Sequence, residues 1–322
     1  MLRPLRPMVY SMTKFQCLDY VICNSFSTLP RIQLPSPKEI HLWYIKPSEV
    51  KDESLLNQYK EILSPAEKDK VSQMSSEELR KNALLARALV RTTIARYQIN
   101  SQVCPKSLNF VTNAHGKPEV DWQYKDILRP APLHFNMSHT SSLIACAVAV
   151  DSPIGLDVEE KNRVLRHNIM SFAKRFFTKH ELQVLSAISD PQVQHQELIK
   201  LWTLKEAYVK ASGRGFSGAP FRSFTIQIKD GRNGSLMGNF NSEASQFVVD
   251  SIDGPTDLSS NWEFVLLDLC STHYAAICTD AGLAVEGKGS ASKKVMVWKT
   301  IPFAEDYLVS GTNEVSVLSG PI

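Results

Sequence analysis

Two spacings of different period do most to limit what this chain can fold into. After the apolar run Leu143 to Val150, the segment Gly155-Leu-Asp157-Val-Glu159 sets two acids two residues apart, so on an extended strand both face the same way. Downstream, Trp202-Thr-Leu-Lys205-Glu206-Ala-Tyr-Val-Lys210 places a carboxylate and a lysine four residues apart. On a helix that spacing brings them onto one face, with Cβ atoms about 5–6 Å apart. Glycines at 213 and 215 then stop the helix, most simply in the left-handed conformation. Taken alone, the Glu206–Lys210 pair is a surface ion pair worth about 0.3 kcal/mol. Together with the strand acids it becomes three carboxylates from two segments that could converge on one hard cation, beside a lysine able to meet a phosphate.

The rest of the composition narrows the class. With 322 residues, 43% hydrophobic and 21% charged, the chain is globular and long enough for one large domain or two ordinary ones. Its formal charge of +3 resides in residues 1–37, where Arg3, Arg6, Lys14 and Arg31 face only Asp19, so the body is neutral and nucleic acid is not expected as a partner. That leader is also rich in hydroxyl residues, the composition of a mitochondrial transit peptide; a disordered extension on a cytosolic protein is the alternative. No secretory h-region follows the early arginines, and no run approaches the roughly 18–20 apolar residues of a membrane span, so no membrane partner is expected. Six cysteines without a C-x-x-C pair read as reduced thiols rather than a zinc site or disulfide framework.

Organisation follows from periodicity and punctuation. Pro35 and Pro37 precede the strand-like run Ile40 to Ile45. Ser64-Pro-Ala-Glu67 opens a short helix, and Ser75-Ser-Glu-Glu78 reads as a capping box for a long one reaching about Gln98. In the long helix Leu84, Leu85, Ala88, Leu89 and Thr92 form a core face, while Arg80, Arg87 and Arg91 form a basic stripe that is either solvated or ligand-facing. Asn113 to Pro118 is a turn, and strands follow around Phe135 to His139 and Leu143 to Val150. A helix is expected from about Asn168 to Ile188, another from Asp190-Pro191 to Gly213, and strands at Phe224–Ile228, Phe247–Ser251, Trp262–Leu269 and Tyr274–Thr279. Trp202, Tyr208 and Ala211 read as core. Strand-helix-strand order thus occurs twice, and Ser138-His-Thr-Ser-Ser-Leu weakly echoes Ser271-Thr-His-Tyr.

In this order, Gly116-Lys117-Pro118, Phe135-Asn136-Met-Ser138-His139, Gly155-Leu-Asp157-Val-Glu159 and Trp202-x-x-Lys205-Glu206-Ala-x-x-Lys210-x-x-Gly213-x-Gly215 resemble the ordered motifs of the Sfp-type 4′-phosphopantetheinyl transferases. The branch resembled is the aminoadipate-semialdehyde dehydrogenase phosphopantetheinyl transferases, within holo-[acyl-carrier-protein] synthase activity. Phe172 to Glu181 looks like the helix that family places between its metal motifs, and the resemblance covers roughly residues 39 to 280. It implies an α+β fold of two similar αβ subdomains related by pseudo-two-fold symmetry, 38–150 and 151–280, with the active site at their junction. Residues 1–37 would be leader, and 281–322 a loosely structured tail with a late strand near Val295 to Trp298.

The activity implied is Mg²⁺-dependent transfer of phosphopantetheine from coenzyme A to a serine of an apo acyl carrier protein or carrier domain, releasing adenosine 3′,5′-bisphosphate, by a monomer. By resemblance Asp157 and Glu206 are metal ligands, with Glu159 next. Glu206 also helps remove the serine proton, and Lys210 faces the departing phosphate. Lys117, Asn136, Ser138 and His139 match coenzyme A-contacting positions, and Lys70 matches a basic contact near the N-terminus. Asn113 to Gly116 would offer backbone groups to the adenine. Lys205 is either a second cation or a solvated side chain. The rival expectation is a coenzyme A- or nucleotide-binding scaffold that has lost catalysis; a P-loop kinase is excluded because no G-x-x-x-x-G-K-[ST] occurs.

Overall fold

A strand with no polar residue on either face has to be covered on both sides, and Ile144–Val150 is such a strand. In the computed structural model, which describes residues 30–97, 103–121, 133–229, 246–251, 262–280 and 293–318, it lies fully buried inside a sheet. The expected leader falls largely outside the described residues, as do Cys17, Cys23 and the stretch from 281 to 292.

In chain order the strands are β1 (Glu39–Ile45), β2 (Phe110–Thr112), β3 (Pro118–Val120), β4 (Leu133–His139), β5 (Ile144–Val150), β6 (Ile154–Glu160), β7 (Phe224–Lys229), β8 (Gln246–Ser251), β9 (Trp262–Leu269), β10 (His273–Asp280), β11 (Lys294–Ile301), β12 (Glu305–Leu308) and β13 (Val315–Leu318). The helices are α1 (Glu53–Ile62), α2 (Pro65–Ser72), α3 (Glu77–Arg96), α4 (Ile169–Phe176), α5 (Lys179–Ala187), α6 (Pro191–Ser212) and the short α7 (Gly215–Gly218). A five-stranded sheet runs β12-β11-β1-β5-β4 and a four-stranded sheet β13-β9-β10-β6.

The two sheets stack face to face, because each offers a second apolar surface that helices do not reach. Leu42, Tyr44, Ala145 and Ala147 of the first sheet meet Leu156, Val158, Leu267, Ala275 and Ile277 of the second. Outside the first sheet, Trp43, Cys146 and Val148 pack on Leu84, Leu85, Ala88 and Leu89 of α3 and on α1. Outside the second, Leu266, Ala276 and Cys278 pack on Leu204, Ala207, Tyr208 and Ala211 of α6. The result is an α+β arrangement of four layers: helices, sheet, sheet, helices.

Several sequence expectations change. The single helix over Asn168–Ile188 is two, α4 and α5, because Thr178 leaves the helical backbone to form a capping box with Glu181. Helix α3 is capped by Ser76, whose hydroxyl accepts from Leu79 N, and not by a Ser75–Glu78 box. Helix α1, which had no counterpart in the sequence reading, is capped by Asp52 through Ser54 N. The described part of the tail, 293–318, is built into both sheets. β11 pairs in parallel with β1, β12 extends that sheet, and β13 pairs with β9. Those strands cover edges of β1 and β9 that would otherwise stand open. Glu314, between them, also accepts a 2.6 Å hydrogen bond from the Tyr44 hydroxyl. Among the cysteines, Cys146, Cys270 and Cys278 are free, whereas Cys104 is disulfide-bonded, against the expectation of reduced thiols throughout.

What positions the site is the contact of β6 with α6. Asp190 starts α6 by accepting from Gln192 and Val193 N–H, and Gly213 ends it at φ 64°. The helix then lies so close to β6 that a Cβ at Gly155 would come 2.0 Å from Ala207 O and 2.3 Å from Ala211 N. No side chain fits there, and Asp157 sits two residues further along the same strand face. Gly155→Ala should therefore force the helix off the strand and lower the unfolding free energy by about 3 kcal/mol, read by urea denaturation. An unchanged midpoint would show that the strand and helix have room to part.

Candidate functional site

β4 and β6 are the edge strands of their two sheets, and they meet side chain to main chain. Asn136 Oδ1 accepts from Leu156 N at 2.8 Å, and Ser138 Oγ accepts from Val158 N at 3.2 Å. Both N–H groups point away from β10, so residues from the first half satisfy the open edge of the second. Asn136 and Ser138, matched by resemblance to coenzyme A contacts, are thus committed to joining the sheets. Ser138 in addition donates to Asp157 Oδ1 at 2.9 Å, which carries the join into the acid group.

Asp157 is buried, at 4% exposure. Its Oδ1 also receives the Lys210 ammonium at 2.7 Å, and Lys210 reaches Ser138 Oγ at 3.1 Å. Its Oδ2 is buried with no hydrogen-bond partner among the described residues. An orphaned carboxylate oxygen facing further acids suits a cation. Burial raises the Asp157 pKa, with Lys210 and Ser138 acting against it. The Glu206 carboxyl, on α6 one turn before Lys210, is pushed up to about 7 by burial and then by the charge of Asp157. Glu159 is likewise raised to about 7, by burial, Asp157 and Glu206. The Asp157 charge thus raises both glutamates, and Glu206 adds to the shift of Glu159.

As they stand, no three His, Cys, Asp or Glu side chains among the described residues form a group able to hold a metal. Of the expected trio, Asp157, Glu159 and Glu206, two already have a cation on one oxygen. Lys210 holds Asp157 Oδ1, and Arg163 donates to Glu159 Oε1. The oxygens left for an ion are Asp157 Oδ2, Glu159 Oε2 and the Glu206 carboxylate, a donor set that fits Mg²⁺, which takes carboxylate oxygens and completes its shell with phosphate and water.

The remaining predicted residues divide. His139 ends β4 with its ring exposed, and desolvation followed by the charge of Lys210, with Arg87 further down, holds its pKa below the usual histidine value. It therefore sits at the acid group's basic margin. Lys117 does not: its ammonium donates to Ile154 O at 2.9 Å and Ala211 O at 3.4 Å, and burial lowers its pKa. A cation at the last carbonyls of α6 complements the helix dipole and explains the residue without a phosphate. The neighbouring turn docks at the same place, with Asn113 Nδ2 donating to Gly213 O and Asn113 Oδ1 taking the N–H groups of His115 and Lys117. Lys70 is exposed on α2, and the structure gives it no contact with the acid group.

Lys205 is neither of the things its spacing suggested. It is fully buried, pairs with Glu181 at 2.8 Å, donates to Phe221 O and Phe224 O, and lies 4.1 Å from the Phe224 ring centroid. Burial lowers its pKa to about 8. Glu181 in turn accepts from Thr178 N and Ile226 N, so this pair ties α5, α6 and β7 together behind Glu206. The stripe of arginines breaks up similarly. Arg91 is buried against Glu67 and the carbonyls of Pro105 and Leu108, Arg80 bonds Met74 O, and Arg87 alone stands near His139. Sequence reasoning gave no role to Glu181 or Arg163. The signals were present as the Thr178-x-x-Glu181 capping box and the four-residue spacing of Glu159 and Arg163.

Comparison with known proteins bears on this arrangement. The model of the 4′-phosphopantetheinyl transferase superfamily matches residues 153–278. The 4′-phosphopantetheinyl transferase Sfp of Bacillus subtilis is 32% identical over 172 residues, covering 53% of this chain and 69% of that protein. The 4′-phosphopantetheinyl transferase HetI of Nostoc is 31% identical over 179 residues, 56% of this chain and 70% of that protein. The L-aminoadipate-semialdehyde dehydrogenase-phosphopantetheinyl transferase of Mus musculus is 28% identical over 157 residues, 48% of this chain and 49% of that protein.

Two measurements check the electrostatics. Because the folded pKa of Glu206 is above the ordinary 4.5, the unfolded chain ionises first as pH rises, so this group's contribution to stability falls between about 4.5 and about 7 and stays low above. In chelator, Glu206→Gln should then be more stable than the unmodified protein by about 1–3 kcal/mol at pH 8 and nearly equal to it at pH 4.5; equal stability at both pH values would place Glu206 in water. Lys205→Met should cost about 3 kcal/mol or more at neutral pH by leaving Glu181 buried and unpaired, where a solvated lysine would cost almost nothing.

Proposed function

The chain belongs to the 4′-phosphopantetheinyl transferase family, and from that premise we propose that it moves the phosphopantetheine arm of coenzyme A onto a serine hydroxyl of an apo acyl carrier protein or carrier domain, with Mg²⁺. The single observation that carries this reading is the buried Asp157 carboxylate, with one oxygen on Lys210 and the other without a partner, beside Glu206. In the reaction the serine oxygen bonds to the phosphorus that bears pantetheine, the pyrophosphate P–O bond breaks, and adenosine 3′,5′-bisphosphate leaves.

Asp157 Oδ2 and Glu206, with Glu159 next, would hold Mg²⁺, which would supply charge neutralisation of the diphosphate so that an oxygen nucleophile can approach in line. Glu206 would also take the serine proton, directly or through a water. Lys210 already points its ammonium into the group, where charge on the departing phosphate would develop. Arg87, with the His139 imidazole beside it as a hydrogen-bonding group, forms a margin suited to a second phosphate. Lys205–Glu181 and Lys117 act from behind, by fixing the two ends of the α6 segment that bears Glu206 and Lys210. We assign residues 38–150 and 151–280 to two αβ subdomains related by a pseudo-two-fold axis, with β11 and β12 added to the sheet of the first and β13 to that of the second, and take the monomer as the working unit, since one chain supplies both halves.

The test is mass spectrometry of a purified apo carrier protein incubated with coenzyme A, with and without Mg²⁺. A gain of one phosphopantetheine that chelator abolishes is expected. No gain across several carriers, from a folded protein, overturns the reading. Glu206→Gln should lower transfer by roughly 100-fold or more while coenzyme A still binds; unchanged transfer would remove Glu206 from the chemistry.

A further inference from the structure

The two segments that echo each other in sequence, Ser138-His-Thr-Ser-Ser and Ser271-Thr-His, meet in space. His273, at the start of β10, is buried, and its Nε2 lies 3.1 Å from both Thr140 Oγ1 and Ser142 Oγ in the turn between β4 and β5. Its Nδ1 lies 2.8 Å from Thr272 Oγ1. Burial holds its pKa below the ordinary histidine value, so the ring has one proton to place. Ser142 gives its own proton to Glu160 Oε1 at 2.6 Å. Toward His273 the serine oxygen therefore accepts, which puts the ring proton on Nε2 and makes Thr272 the donor to Nδ1. Thr140 Oγ1 already takes the N–H groups of Ser142 and Leu143, so the histidine bonds a turn that is closed on itself.

That turn leads straight into the site. His139 precedes it, and the His139 ring hydrogen-bonds the Thr140 main chain. From the opposite side Asn82 Nδ2 donates to Ser141 O at 3.1 Å, and Asn82 belongs to α3, the helix that bears Arg87. One turn is thus held between the second sheet and the helix layer of the first. We propose that His273 is a positioning residue: by fixing Thr140 and Ser142 from the second sheet it aims His139, beside Arg87, at the 3′-phosphate of coenzyme A. His273 acts through Thr140 and not on the substrate. The proposal rests on the reading that His139 and Arg87 form the margin for a second phosphate.

Calorimetric titration of the full-length protein with coenzyme A and with 3′-dephospho-coenzyme A, both in Mg²⁺, tests this. The unmodified protein should prefer coenzyme A. His273→Asn, whose short amide can stand in for Nδ1 but not for Nε2, should lose about fivefold of that preference, the worth of roughly one hydrogen bond, while its affinity for the dephospho ligand changes less than about twofold. His273→Gln, which returns an N–H near the place of Nε2, should keep the preference. In a His139→Ala background His273→Asn should change the ratio no further. Replacing Thr140 and Ser142 together by Ala removes the same contact from the turn side and should match His273→Asn; it keeps the test open if thermal melts show His273→Asn unfolded. An unchanged preference in a folded variant lacking the contact, an equal loss for both ligands, His273→Gln as impaired as His273→Asn, or a further loss in the His139→Ala background overturns the proposal. An unmodified protein that binds the two ligands equally overturns instead the second-phosphate reading on which it stands.

Discussion

The site depends on an edge strand that is closed by side chains. β6 pairs with β10 on one side only, and the N–H groups of Leu156 and Val158 on its other side are received by Asn136 and Ser138 from β4. A main-chain ladder would have joined the two sheets into one and left no opening. Side chains as acceptors hold the edges near each other while leaving Asp157, between the two satisfied amides, free to turn toward α6. The same Ser138 hydroxyl that closes the edge then orients the carboxylate, so the join between the halves and the orientation of the acid are one interaction.

The second support is the close approach of α6. Because Gly155 has no side chain, the helix backbone lies on the strand, and Glu206 and Lys210 come within reach of Asp157. Helix position is then maintained from two directions. Lys117 and Asn113 hold its C-terminal end, and the Lys205–Glu181 pair anchors the turn that carries Glu206. Buried ion pairs stabilise little relative to apolar packing, but they penalise any displacement that would separate the charges. For a helix that must keep a carboxylate and an ammonium beside one buried acid, that restriction matters more than net stability.

Much of the site was legible because it is periodic. The two-residue spacing of Asp157 and Glu159 and the four-residue spacing of Glu206 and Lys210 are local properties of strand and helix, and the caps at Asp190 and Gly213 mark the ends of that helix. What failed to show was decided by segments far apart in the chain. Lys205 lies beside Glu206 in sequence, yet its direction is set by Glu181 and by the carbonyls that follow α6. Lys117 was matched to a phosphate, and the carbonyls that take its protons belong to β6 and α6. The tail looked loose after a polar, glycine-bearing stretch, and only the open edges of β1 and β9 give Val295, Val297 and Val315 somewhere to go.

Charge in the site follows from these placements. Burial alone would make three neighbouring carboxylates untenable near neutral pH, and the fold answers with two cations set at fixed distance on separate elements, Lys210 from the helix and Arg163 from the turn after β6. Each takes a single oxygen. Glu206 accepts a hydrogen bond from neither, and burial followed by the charge of Asp157 pushes its carboxyl up to about 7. A carboxyl in that state can bind a cation or accept a proton with little reorganisation, and its neighbours determine which, because any positive charge brought to Asp157 Oδ2 lowers the cost of ionising Glu206.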